Sequence, residues 1–184
     1  TETIDSGEEY SIEMISNGFS LSSDSTVSAD AKGYYNPGVN YTCKTIGNKS
    51  TSNSTATSAI GGSAVICAAS HGGRGGCNSQ TDSALEVYGS FSNPYWSGSS
   101  CRYSYSQTYG GGIVRIDSGT GTLQINGIIS ANATTLATNS SGSASGGSVY
   151  LNGGAVSGTG SVTANGTSHN YVYGAGGGGG RIAL

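Results

Sequence analysis

Gly110-Gly111-Gly112-Ile113-Val114-Arg115-Ile116 recurs along the chain as Ser145-Gly146-Gly147-Ser148-Val149-Tyr150-Leu151, and again as Gly178-Gly179-Gly180-Arg181-Ile182-Ala183-Leu184. The copies are 35 and 33 residues apart. Each is a run of small residues, then an apolar residue, any residue, and a second apolar one. One residue between apolar positions is the spacing of a strand and not of a helix. Val114 and Ile116 are therefore expected to point inward with Arg115 outward. Val149 and Leu151 should point inward with Tyr150 outward, and Ile182 and Leu184 inward with Ala183 outward. Two inward side chains cannot stabilise a lone strand. Copies stacked about 4.8 Å apart would form a continuous apolar column from Val114, Val149 and Ile182.

A second element repeats at a matching offset. Ile129-Ser130-Ala131-Asn132-Ala133-Thr134 returns 33 residues later as Val162-Thr163-Ala164-Asn165-Gly166-Thr167. A fainter copy, Val27-Ser28-Ala29-Asp30-Ala31, follows Ile12-Glu13-Met14-Ile15 near the start, and Gly61-Gly62-Ser63-Ala64-Val65-Ile66-Cys67 resembles the glycine motif. A period of this length leaves room for three short strands per unit, with Leu123 and Ile125 in a middle strand and Val156 in the next. Asn132 and Asn165 are expected to stack at a corner, where asparagine tolerates turn conformations. The expected architecture is all-β: a parallel β-helix (β-solenoid) with Gly-rich turns and disulfide-restrained loop insertions. A β-sandwich is the alternative, because short alternating strands with glycine-rich turns suit it too. The chain reads as one domain, with N-terminal strands over 1–31, cysteine-bearing insertions over 32–109 and glycine-rich coil repeats over 110–184.

Composition agrees with thin strands and many turns. Of 184 residues 33 are glycine, only 9% are charged, and the net charge is −3. So small a net charge argues against charge-driven disorder. The seven basic residues are scattered, which argues against nucleic acid as a partner. No apolar run approaches the roughly 20 residues of a membrane span. The opening Thr1-Glu2-Thr3, without an initiator Met, reads as a mature product or an excised part of something longer.

Cys43, Cys67, Cys77 and Cys101 are an even set in a core-poor chain, the pattern of a disulfide framework in an oxidising compartment. Equal separations favour the sequential pairing, Cys43 with Cys67 and Cys77 with Cys101, among three possible connectivities. Asn40, Asn48, Asn53, Asn132, Asn139 and Asn165 head N-x-S/T sequons in polar segments, so a glycosylated, secreted or surface-exposed protein is expected. At the corner, stacking and a sugar compete for Asn132 and Asn165.

The ending Gly-Gly-Gly-Arg-Ile-Ala-Leu at 178–184, Ile-Ser-Ala-Asn-Ala at 129–133 and Ser-Val-Thr-Ala-Asn-Gly at 161–166 resemble the glycine-rich repeats of very large secreted or cell-surface parallel β-helix proteins, adhesin-like or extracellular-filament chains. The resemblance spans about 61–184 and implies a structural or adhesive role; it supplies no catalytic residues. The cysteines and a tyrosine-rich insertion depart from it.

Enzymatic chemistry finds little purchase. Glycoside hydrolysis needs two carboxylates about one bond. Half of the ten acids lie in the first thirteen residues, and none repeats at the coil period. No Gly-x-Ser-x-Gly elbow or Gly-Lys-Ser/Thr phosphate loop occurs. His71 and His169 read as turn or surface histidines. No catalytic residue, metal ligand or cofactor is expected. Tyr95, Trp96, Tyr103, Tyr105 and Tyr109 are the candidate interface or glycan-binding residues, since exposed Tyr and Trp can stack on sugar rings or anchor contacts. The expected function is that of an extracellular structural glycoprotein assembling into a filament or surface layer. Its partners would be other copies, head to tail, with strand 10–15 meeting the C-terminal coil, or adjoining repeats of a longer chain. The alternative is a carbohydrate-binding adhesin module. A polysaccharide-acting β-helix enzyme is the weaker one.

Overall fold

The alternation of apolar and polar residues does produce strands, and their pairing is parallel wherever the repeats meet. The computed structural model describes residues 10–35, 42–45, 49–52, 68–76, 87–102, 107–135, 143–168 and 175–184. These residues contain strands and no helix. The copy at 61–67 lies outside them.

Three parallel sheets take one strand each from successive repeats. The first repeat supplies β1 (Ser11–Ile15), β2 (Phe19–Leu21) and β3 (Thr26–Ser28). A later antiparallel group holds β4 (Thr42–Thr45), β5 (Lys49–Ser52), β6 (Ser100–Arg102) and β7 (Thr108–Tyr109). The second repeat gives β8 (Ile113–Asp117), β9 (Thr122–Ile125) and β10 (Ile128–Ser130), after which come β11 (Thr134–Thr135) and β12 (Ser143–Ala144). The third gives β13 (Ser148–Asn152), β14 (Ala155–Ser157) and β15 (Ser161–Thr163), and β16 (Arg181–Ala183) follows. The sheet orders are β1-β8-β13-β16, β2-β9-β14 and β3-β10-β15.

Register follows the apolar pattern. Ile12, Val114, Val149 and Ile182 lie opposite one another across four strands, as do Met14, Ile116 and Leu151 across three. Phe19, Leu123 and Val156 form a column in the second sheet, and Val27, Ile129 and Val162 one in the third. These columns converge on one core in which Val114, Ile116, Leu123, Ile129, Val149 and Leu151 are fully buried. A one-residue slip would turn every column to the other face, so burial fixes the register.

The corners are laddered as well. Asn132 N–H donates to Asp30 Oδ1 at 2.6 Å, and Asn165 N–H to Asn132 Oδ1 at 2.8 Å, so the expected asparagine stack exists and begins on an aspartate. At another corner Asp117 Oδ1 accepts from Gly119 N–H and from Asn152 Nδ2, both at 2.8 Å, while Gly119 takes a positive φ of 54°. These donors, and more weakly the Arg115 charge, hold the Asp117 carboxyl below its usual range.

Beside the sheets lies a layer that no apolar pattern announced. Segments 32–34, 97–99, 110–112, 145–147 and 177–180 run outside regular strands and hydrogen-bond to one another. Gly33 N–H donates to Gly110 O (2.8 Å), Gly98 N–H to Gly111 O (2.8 Å), Gly111 N–H to Ser145 O (3.1 Å) and Gly146 N–H to Gly178 O (3.1 Å). Segment 68–76 joins through Gly73 N–H to Gly179 O at 2.9 Å and Gly76 N–H to Gly176 O at 2.9 Å. Backbones approach so closely that a Cβ on Gly98 would overlap Ser145 O, and one on Gly147 would overlap Gly112 O. Only glycine permits that approach.

Candidate functional site

Segment 87–99 crosses the outer face of the first sheet as a strap. Its underside is anchored. Arg181 Nε donates to Tyr88 O at 2.8 Å, Ser148 Oγ to Trp96 O at 2.6 Å, and Arg115 Nη1 to both Pro94 O and Asn93 Oδ1 at 3.0 Å. Each anchor is an outward residue of β16, β13 or β8, so the strap is held at successive rungs. Tyr88 and Pro94 are buried beneath it.

Arg115 is the centre of the arrangement. Glu13, Arg115 and Tyr150 are register partners on the outer face of β1, β8 and β13. The guanidinium carbon lies 4.3 Å from the Tyr150 ring centroid and 5.2 Å from that of Tyr95. Its Nε is 3.8 Å from Glu13 Oε1, a long contact beside the two aromatic ones. The pinned strap displays Phe91 (81% exposed), Tyr95 (54%) and Trp96 (39%).

Beneath it sits a buried hydroxyl cluster with a histidine. His71 stacks on Tyr88 with centroids 4.5 Å apart, and its Nδ1 is 2.7 Å from Gly146 O. A carbonyl only accepts, so Nδ1 carries the proton and Nε2 does not. Burial lowers the His71 pKa to about 4 against the support of the Gly146 carbonyl, with the Arg181 charge adding to the lowering. Tyr88 Oη donates to Ser97 O at 2.6 Å and meets Ser99 Oγ at 2.8 Å. His71, expected in a turn or at the surface, is buried and therefore a packing histidine. Its glycine neighbours dock against 176–180, through Gly73 N–H to Gly179 O and Gly76 N–H to Gly176 O.

The other sequence candidates separate. Tyr95 and Trp96 share the strap. Tyr109 stacks instead on Tyr35, centroids 4.5 Å apart and planes 10° from parallel. Tyr103 and Tyr105 lie outside the described residues, as do Asn40, Asn48, Asn53, Asn139, Cys67 and Cys77. Asn165 is exposed and Asn132 half-buried. Cys101 is disulfide-bonded, and the antiparallel register of β4 and β6 sets Cys43 directly opposite it. Arg115 and Tyr150 were missed as site residues, although alternation had turned both outward; nothing in the sequence said that segment 87–99 returns to cover them.

The inward columns end openly on one side. Val156 is 45% exposed, Ile182 43% and Leu184 79%, while the outward Ala183 is buried. At β16 the inward Ile182 is thus exposed and the outward Ala183 buried. Among the described residues no helix is long and apolar enough to cross a membrane.

No protein-family model matches the chain, nor does any curated protein or any solved structure.

Proposed function

We propose that the three parallel sheets wind as a β-helix, and that the chain is a stacking module of an extracellular, glycosylated structural protein. The winding is supported by strand order: each repeat visits the first, second and third sheet in the same sequence, always pairing parallel with the repeat before. The assembly role rests on the open end of the columns, where Val156 and Ile182 continue core ladders yet face water. Exposed strand edges above an apolar column are a template for another coil. That coil comes from a second copy or from adjoining repeats of a longer chain; contact of this heterologous kind builds an open stack unless its rotation closes a ring.

Electron microscopy of native material, with sedimentation of the 184-residue chain, tests the reading. Filaments or a layer should be seen, with concentration-dependent growth of the isolated chain. Ile182→Lys and Val156→Lys should abolish that growth while leaving the circular dichroism of the monomer intact. A chain that stays monomeric at every concentration, from native material without ordered assemblies, refutes it.

A further inference from the structure

We propose that the displayed face of the strap is a binding site for neutral carbohydrate, on the flank of the stack and independent of what caps its end. Three observations carry this. First, the rings are presented, not tucked in: Phe91, Tyr95 and Trp96 are exposed, whereas Tyr88 and Pro94 of the same segment are buried as anchors. Second, the display is pre-organised. Side-chain donors of Arg115, Ser148 and Arg181, bonded to carbonyls of the strap, fix it to three strands, so little conformational freedom remains to be lost on binding. Third, short polar residues alternate with the aromatic ones along the segment. Ser90, Ser92 and Asn93 are exposed; Asn93 spends its Oδ1 on Arg115, which turns that amide into a donor for a ligand.

Aromatic faces interleaved with hydroxyl and amide donors match the amphipathic faces of a pyranose: C–H groups on the ring face, hydroxyls at its edge. A protein partner would more commonly find a contiguous apolar centre with a polar rim. The charge state argues for a neutral sugar. Arg115 is enclosed by Tyr95, Tyr150, Asn93, Pro94 and Glu13, so its cation is already spent within the protein, and Glu13 is half-exposed beside it. A carboxylated or sulfated sugar would meet that carboxylate.

The chain has a single tryptophan, Trp96, so intrinsic fluorescence reports on this spot alone among tryptophan signals. The probes are hexasaccharides of glucose, mannose and N-acetylglucosamine, with a galacturonic acid hexamer as the charged comparison, titrated at protein concentrations where the chain is monomeric. At least one neutral probe should shift Trp96 emission, and Tyr95→Ala should weaken its binding about tenfold. Tyr95→Phe, which keeps the ring, should bind as the parent does and guards against a folding defect. The proposal is overturned if no neutral probe moves the emission at roughly 10 mM, if Tyr95→Ala binds equally well, or if the acidic hexamer binds best. A shift of Trp96 emission on chain association alone would assign the face to a protein contact, and would equally overturn it.

Discussion

At the scale of single residues, the ionisation of His71 is tied to folding. Its folded pKa of about 4 lies below the 6.5 of the unfolded chain. The unfolded state therefore binds the extra proton first as pH falls. Its contribution is full above about pH 6.5, declines between there and pH 4, and is constant below. Across that window the loss should approach about 3 kcal/mol, read as a falling urea midpoint. His71→Phe, which can still stack on Tyr88, should flatten this segment of the stability–pH curve. Asp117 acts in a lower window: its folded pKa is depressed, so its stabilisation is present at neutral pH and lost as pH falls through the carboxylate range. A pH dependence that survives unchanged in His71→Phe would mean that another group carries it.

Among the elements, the glycine layer makes the sharpest demand on sequence. Gly147→Ala sets a methyl against the Gly112 carbonyl and should cost about 1–3 kcal/mol or more; Gly179→Ala, with nothing within 4 Å of its Cβ, should be close to neutral. Thermal unfolding of the two variants measures the difference. The disulfides belong to this scale too. Directly opposed antiparallel residues hold their Cα atoms about 4.5–5.5 Å apart, within disulfide reach. Ala68 N–H donates to Gly76 O at 2.8 Å, closing the chain just inside Cys67 and Cys77. Non-reducing peptide mapping should therefore link Cys43 with Cys101 and Cys67 with Cys77, in place of the sequential pairing that spacing alone favours. The parallel columns were legible beforehand because each is written in side chains: Val114, Val149 and Ile182 repeat, and so do Val27, Ile129 and Val162. The glycine layer was legible in part: glycines before each strand allow neighbouring repeats to approach closely, but a glycine carries no outward or inward sign, so which backbones pair was not. The strap was half legible. Its tyrosines were noticed as a crowd, but only the return of segment 87–99 over Arg115 separates the buried Tyr88 from the displayed Tyr95.

For the whole molecule, the cysteines and the parallel columns occupy different territory. Strands β1–β3, β8–β10 and β13–β16 contain no cysteine, while β4 and β6 each contain one. Reduction should therefore loosen the sheet β12-β6-β4-β5 and leave the parallel sheets closed. Hydrogen exchange checks this: amides of β4 and β6 should exchange faster by about tenfold or more, with those of β8 and β13 little changed. If β8 and β13 loosen equally, the two territories unfold as one. The parallel pairing also bears on the scarcity of charge. In a stack, a side chain meets its counterpart from the next rung about 4.8 Å away, so a column of carboxylates would repel itself. Both corner ladders avoid this: Asp30 is followed by Asn132 and then Asn165, and Asp117 by Asn152. The ladder that starts at Asp30 also has a direction. From the second rung on, each gives its backbone N–H to the side-chain oxygen of the rung before it, while Asp30 N–H turns back to Ser28 Oγ at 3.2 Å. Such a row distinguishes its front from its back, as a one-way thread does.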